Sequence, residues 1–166
     1  MRESRAETEF TAFVQGAGTR LERAAVLLTG DRLLAEDLLQ VTYAKVYLAW
    51  KRVEQDPLAY ARTTLLHVYI SHRRLRRNAE VPTEIASRGE LPATDGDAAR
   101  RLDVLDALAT LSALKRAVVV LRYWEDRSVA DTAVDLGLTE SVVKTRARRA
   151  LGKLRPLLEL DERTPS

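Results

Sequence analysis

Apolar residues recur along this chain at the three-and-four spacing of an α-helix, and no stretch alternates strictly enough to predict a strand. From Thr8 to Leu28 one helical side carries Phe10, Phe13, Val14, Leu21, Ala24, Ala25 and Leu28. Thr29-Gly30-Asp31 breaks the pattern, because Gly30 suits the position just past a helix end and Asp31 can cap the next helix. That second helix runs to about Lys51, with Leu34, Leu38, Val41 and Leu48 as its predicted apolar stripe. Asp56-Pro57 then offers a cap and a proline at the first helical position, opening a third helix through about Arg77. Three helices over 8–78 make one bundle.

Pro82, Pro92, two glycines and several acids fill the stretch that follows, without sustained periodicity, so 79–97 reads as a flexible linker. Helical pattern resumes with Leu102, Leu105, Leu108 and Leu111 and continues through Ala117, Val118 and Leu121, giving a second domain over 98–158. Its end is the most informative part of the chain. Ser128 is a good cap with Asp131 three residues on, and Val129, Ala130, Ala133 and Leu136 make the apolar side of a short helix that Gly137 ends. Thr139 can cap the next helix, which carries Val143, Ala147, Ala150, Leu151 and Leu154 inward. This is a helix-turn-helix pattern. With residues placed at 100° intervals, Ser141, Thr145, Arg148 and Arg149 fall on the outward face and Lys144 and Arg146 on its flanks. Arginine forks match guanine edges in a major groove, Ser and Thr take either base edge, and Lys suits phosphate.

Composition narrows the function by exclusion. The 166 residues are 46% hydrophobic and 31% charged, which is ordinary for a folded helical protein and unlike a disordered chain. No apolar run approaches the roughly 18 residues that cross a bilayer, and the start lacks the regions of a secretory signal, so the expected location is the cytoplasm. There is no cysteine, hence no disulfide or thiolate metal site. His67 and His72 are the only histidines and lie about 140° apart on a helix, so neither a metal nor any cofactor is expected. With no glycine-rich phosphate loop and no nucleophile triad, the chain does not read as an enzyme. The net charge of +3 is small, but the basic residues cluster. Pro57 to Ala79 holds five arginines and no acid, and Ser141 to Leu158 holds six Lys or Arg and no acid, whereas Glu80 to Asp106 holds seven acids. That layout implies two contacts with one polyanion.

The motifs together resemble a known family. Leu121-Arg122-Tyr123-Trp124-Glu125-Asp126, Ser128-Val129-Ala130-Asp131-Thr132-Ala133 and Val143-Lys144-Thr145-Arg146-Ala147-Arg148-Arg149 are similar to the C-terminal domain of extracytoplasmic-function sigma factors, of the SigE-like type. Leu28-Thr29-Gly30-Asp31, Ala35-Glu36-Asp37-Leu38-Leu39-Gln40 and Asp56-Pro57-Leu58-Ala59-Tyr60-Ala61-Arg62 resemble the N-terminal domain of the same family, in the expected order. The resemblance implies an all-α, two-domain protein that binds core RNA polymerase and promoter DNA, with an anti-sigma factor as a common further partner. It implies −35 contacts by Lys144, Thr145, Arg148 and Arg149, to which the helical wheel adds Ser141. It implies polymerase contacts by Asp37, Leu38 and Gln40, and −10 opening by the loop 51–56 and the following helix, with Arg62, His67, Arg73, Arg74 and Arg77 on the DNA. Unstacking a base costs a few kcal/mol, so arginines that hold the backbone fit that task. The chain departs from the family pattern at Val41, His67, Ser71, Ser112 to Arg116 and Ser141-Val142.

The residues alone leave two other readings open. A helix-turn-helix also serves operator-binding dimers, and a helical bundle can serve as a protein-binding scaffold, although two acid-free basic segments weigh against the latter. Of the aromatics, Trp50, Trp124, Tyr43 and Tyr123 read as core or interdomain, while Tyr60 and Tyr69 are open to a base-facing role.

Overall fold

The computed structural model describes residues 3–53, 55–79 and 103–162, and every regular element among them is a helix. The linker expected over 79–97 lies, past Ala79, outside the described residues. Helix α1 spans Glu3–Thr29. It ends where predicted: Gly30 adopts a left-handed φ of 70° and its amide returns to the Val26 carbonyl at 2.7 Å. Asp31 caps α2 (Arg32–Leu48) by accepting from the Leu33 amide at 2.9 Å. A short 3-10 turn, Trp50–Arg52, precedes Asp56, whose carboxylate accepts from the Ala59 amide at 3.1 Å to open α3 (Pro57–Asn78).

The second half begins with α4 (103–109), followed by α5 (Ala113–Val119), which Ser112 caps through the Lys115 amide. The helix then widens into a π segment, Val120–Trp124, closed by the Glu125 amide on the Val120 carbonyl at 2.9 Å. Asp126 takes a left-handed φ of 52°, a conformation that Asp tolerates better than most residues. Helices α6 (Val129–Leu136) and α7 (Glu140–Glu162) follow, with Pro156 inside α7.

Each half contributes its own apolar side, but the halves are not packed as two separate cores. The largest buried cluster takes Leu21, Ala25 and Leu28 from α1, Ala35, Leu38 and Val46 from α2, and Leu65, Leu66 and Tyr69 from α3. It continues without a break into Ala117, Val120 and Leu121 of the second half. Smaller clusters hold α4 and α5 against the C-terminal part of α7, and α6 against its N-terminal part. At the far end of the bundle Phe10 packs on Tyr47 and Trp50 with ring centroids 5.1 and 5.4 Å apart, an edge-on arrangement favoured by aromatic quadrupoles.

The stripe predicted on α2 requires correction. Leu38 is inward, but Val41 is 45% and Leu48 83% exposed. The buried arc is Ala35, Leu38, Leu39, Thr42 and Val46, because α1 and α3 press on α2 from that side. At 100° per residue Val41 and Leu48 stand well over 90° from the centre of this arc.

Candidate nucleic-acid and protein interfaces

The helix-turn-helix is built by local hydrogen bonds that its sequence dictates. Ser128 Oγ accepts from the Asp131 amide at 3.0 Å and starts α6. Gly137 ends it with φ 65°, and the Leu138 amide reaches the Ala133 carbonyl at 2.9 Å. Thr139 Oγ1 accepts from the Val142 amide at 3.2 Å and starts α7. The turn before α6 is fixed by a two-pronged bond: Arg127 donates through Nε and Nη2 to the Asp135 carboxylate at 3.0 and 3.1 Å. That bond is the main reason the Arg127 pKa lies above its ordinary value. Val143, Ala147, Ala150 and Leu154 are then buried, and Ser141, Lys144, Arg148 and Arg149 are exposed on the opposite side, with Thr145 half-buried among them. The structure therefore brings the five expected −35 residues to one helical surface.

The side of α2 turned away from the core carries Leu33, Asp37, Gln40, Val41, Ala44 and Leu48, all exposed. Three of these six are large apolar residues, with Leu33 at 59%. Asp37 and Gln40 are thus available to a partner, but Leu38 is not. It is 5% exposed and belongs to the core, since it lies about 100° from Asp37 on the helix. Leu33, Val41 and Leu48 are what sequence reasoning missed: their spacing fits a helical face, but read alone it passes for an inward stripe.

Helix α3 separates its five expected DNA contacts. His67, Arg74 and Arg77 are exposed, and Tyr60 and Ser71 share the face of His67 and Arg74. Arg73 is half-buried toward the other side, where its charge acts on Tyr69 and Arg116. Arg62 is 7% exposed and does not face solvent. Tyr69, at 1%, is core, and burial pushes its hydroxyl pKa up. Tyr43 and Trp50 are half-buried around Phe10, whereas Tyr123 and Trp124 are 45% and 41% exposed.

Comparison with known proteins decides what this arrangement is. The sigma-70 region 2 family model matches residues 13–79 and the sigma-70 region 4 model matches residues 101–154. The RNA polymerase sigma-E factor of Streptomyces coelicolor is 36% identical over 160 residues, covering 93% of this chain and 90% of that one. The chain belongs to the extracytoplasmic-function group of sigma-70 factors. The ECF RNA polymerase sigma factor SigL of Mycobacterium tuberculosis is 35% identical over 149 residues, covering 84% of this sigma factor and 82% of SigL. Among solved structures, the sigma factor RpoE of Bartonella quintana, in complex with the anti-sigma factor NepR, superposes with a TM-score of 0.76 at 24% identity, over 92% of this chain and 98% of that one. CnrH in complex with the cytosolic domain of CnrY superposes at 0.66 with 25% identity, over 95% of each. Like its family, this sigma factor directs promoter-specific initiation by core RNA polymerase. Among the described residues no helix is long and apolar enough to cross a membrane.

The two halves of this sigma factor meet through buried charge as well as apolar contact. Arg116 of α5 is 2% exposed and enters the end of α1, donating from Nε to the Leu27 carbonyl at 2.7 Å. Its Nη2 has no hydrogen-bond partner among the described residues, and burial lowers its pKa to about 10. An unpaired carbonyl at a helix C-terminus is a fitting acceptor for a cation, which offsets part of that burial. Glu125, held inward by the π segment, places one carboxylate oxygen 3.4 Å from Arg20 of α1 and 3.8 Å from Arg62 of α3. Burial, the larger cause, lowers the Arg62 pKa although Glu125 opposes it. Arg62 is thus engaged across the domain contact. In the sequence Arg116 stands beside Lys115 just before the apolar run Ala117 to Leu121, and nothing there sets it apart as buried.

Proposed function

We propose that this sigma factor divides the promoter between its halves, with 98–158 reading the −35 element and 8–78 opening the −10 element, joined by a flexible linker over 79–97. The observation that carries this reading is the row of Ser141, Lys144, Arg148 and Arg149 on the open side of a capped helix-turn-helix. His67, Arg74 and Arg77 serve the −10 side from the outset. Arg73 and Arg62 join them when the halves part, which exposes the α3 side on which both lie. Polymerase docks on the outward face of α2, where Leu33, Val41 and Leu48 bury apolar area around Asp37 and Gln40. Catalysis belongs to polymerase, and the protein acts in the cytoplasm without a cofactor. An anti-sigma factor is a further expected partner, supported by the solved relative RpoE, which is in complex with the anti-sigma factor NepR.

The test is run-off transcription with core polymerase. Reversing both charges, Arg148→Glu with Arg149→Glu, is expected to abolish promoter-specific transcripts while leaving polymerase binding intact. Unchanged transcripts would refute the assignment of α7. Leu33→Ala with Leu48→Ala should weaken polymerase binding at least tenfold without changing the melting temperature, and unchanged affinity would refute the α2 face.

A further inference from the structure

Both phenylalanines of the chain gather with Tyr43, Tyr47 and Trp50 at the far end of the N-terminal bundle. Tyr43, Tyr47 and Trp50 stand at i, i+4 and i+7, so α2 carries one aromatic ridge into the 3-10 turn that follows it. Phe10 and Phe13 of α1 close on that ridge. The centroid of each lies 5.4 Å from that of Trp50, Phe10 edge-on at 83° and Phe13 tilted at 42°. Phe10 also meets Tyr43 edge-on at 6.4 Å. Among the described residues of α1 ahead of Leu21 none is fully buried, so what the first half of this helix holds is this ring cluster. Phe10 stands ahead of 13–79, the stretch that sigma-70 region 2 matches, so the cluster reaches beyond the shared domain.

The run from Trp50 to Asp56 is short and open. Two backbone bonds turn it, from the Arg52 amide to the Ala49 carbonyl at 2.8 Å and from the Val53 amide to the Trp50 carbonyl at 3.2 Å. Lys51, Arg52 and Gln55 are exposed, and among the described residues no side-chain hydrogen bond or ion pair holds any of the three. The position of the loop is therefore set at its ends, by the Asp56 cap on α3 and by the Trp50 ring between Phe10 and Phe13. An aromatic side chain turns about only two bonds, so a ring wedged between two others passes its position to the backbone with little slack. Unstacking a base is costly, and a loop that had to be ordered at the same moment would add its own entropy to that cost. We propose that Phe10 and Phe13 are positioning residues for −10 opening, which clamp Trp50 and so fix where the 51–56 loop presents its side chains to the DNA. Both act through Trp50 rather than by touching the promoter. The inference rests on the reading of 51–56 as the loop that opens the −10 element, and gives α1 a share in its selectivity.

The experiment follows −10 opening by the holoenzyme through the fluorescence of 2-aminopurine placed in that element, on the promoter found by run-off transcription and on copies with one −10 base pair substituted. The readout is the ratio of opening rates on the preferred and the substituted promoters. Phe10→Leu and Phe13→Leu are each expected to lower this ratio on the order of tenfold, since a misplacement of about 1 Å can cost up to about 100-fold. Either variant suffices if the other fails to fold. Phe10→Tyr and Phe13→Tyr keep the rings and should stay near wild type. Val46 is fully buried in the core, and Val46→Ala is the control: it should lower Tm yet leave the ratio unchanged, because a weakened fold slows opening on both promoters alike. Phe10→Leu combined with Trp50→Leu should lose no more than Trp50→Leu alone, as residues acting through one ring must, and additive losses would overturn the proposal. An unchanged ratio in the leucine variants would overturn it too, as would a ratio that falls equally in Val46→Ala. Arg52→Ala and Gln55→Ala separate the two readings. If they leave the ratio unchanged, the loop reading has failed and the clamp with it; if they lower it and the leucine variants do not, the clamp alone is refuted.

Discussion

Glu125→Leu tests whether buried charge holds the two halves together. The Glu125 side chain is 7% exposed and that of Arg62 is 9%, so removing the carboxylate strands a cation inside the interface. Breaking a buried pair in this way costs about 3–5 kcal/mol where geometry is ideal. Here the Arg62 separation is 3.8 Å, and Arg20, the other partner, is 56% exposed. Both facts place the penalty at or below the low end of that range, about 2–3 kcal/mol. Arg62 can relieve it by reaching water, which requires the second half to move off α3. The closed form should therefore lose roughly 30- to 150-fold in population relative to the open one. Small-angle scattering reads this directly: a compact chain of this length has a radius of gyration of about 15 Å, and the variant should be measurably larger. Arg62→Met combined with Glu125→Leu should recover much of the compactness, because no charge is left unpaired. An unchanged radius and unchanged unfolding free energy in Glu125→Leu would refute the reasoning, as would a double variant no more compact than the single one.

Two further outcomes follow from the same region. Gly30→Ala should destabilise the protein by roughly 1–2 kcal/mol in chemical denaturation, since φ of 70° disfavours a side chain, and the added Cβ would sit 3.2 Å from Arg116 Nη2; no loss would mean that the α1 end does not need this geometry. His72 has its pKa lowered, by burial first and then by Arg76 and Arg73, with Asp37 opposing. The unfolded chain therefore takes up its proton at higher pH than the folded one, so His72 stabilises the fold less as pH falls through and below about 6.5. His72→Gln should flatten that part of the stability profile in denaturation at several pH values, and an identical profile would show the histidine uninvolved.

Local chemistry made much of this fold legible. Asp31, Asp56, Ser112, Ser128 and Thr139 each hold an amide at a helix start, and Gly30 and Gly137 close helix ends, because caps depend on residues a few positions apart. Of these, Ser112 alone stood in a segment noted only for departing from the family pattern. The outward face of α7 was likewise fixed by its own periodicity. What escaped was set by contacts distant in the chain. Leu38 and Val41 are both apolar and both fit a helical stripe, and only the positions of α1 and α3 decide that one is core and the other surface. Arg62 sits in a basic segment like its neighbours, yet it pairs with Glu125, 63 positions away, through a π segment that no pattern of polar and apolar residues announces.

The cluster that joins the halves also bears on how the chain is made. Its N-terminal members are all translated by Tyr69, whereas Ala117, Val120 and Leu121 come some fifty codons later. At about 5–20 residues per second the ribosome needs roughly 3–10 seconds to bridge that gap. During this interval the nascent bundle presents the apolar surface that Ala117, Val120 and Leu121 will cover, and the Leu27 carbonyl waits for Arg116. A chaperone or an already waiting partner has its best opportunity to engage this protein then, before its own second half has emerged to compete.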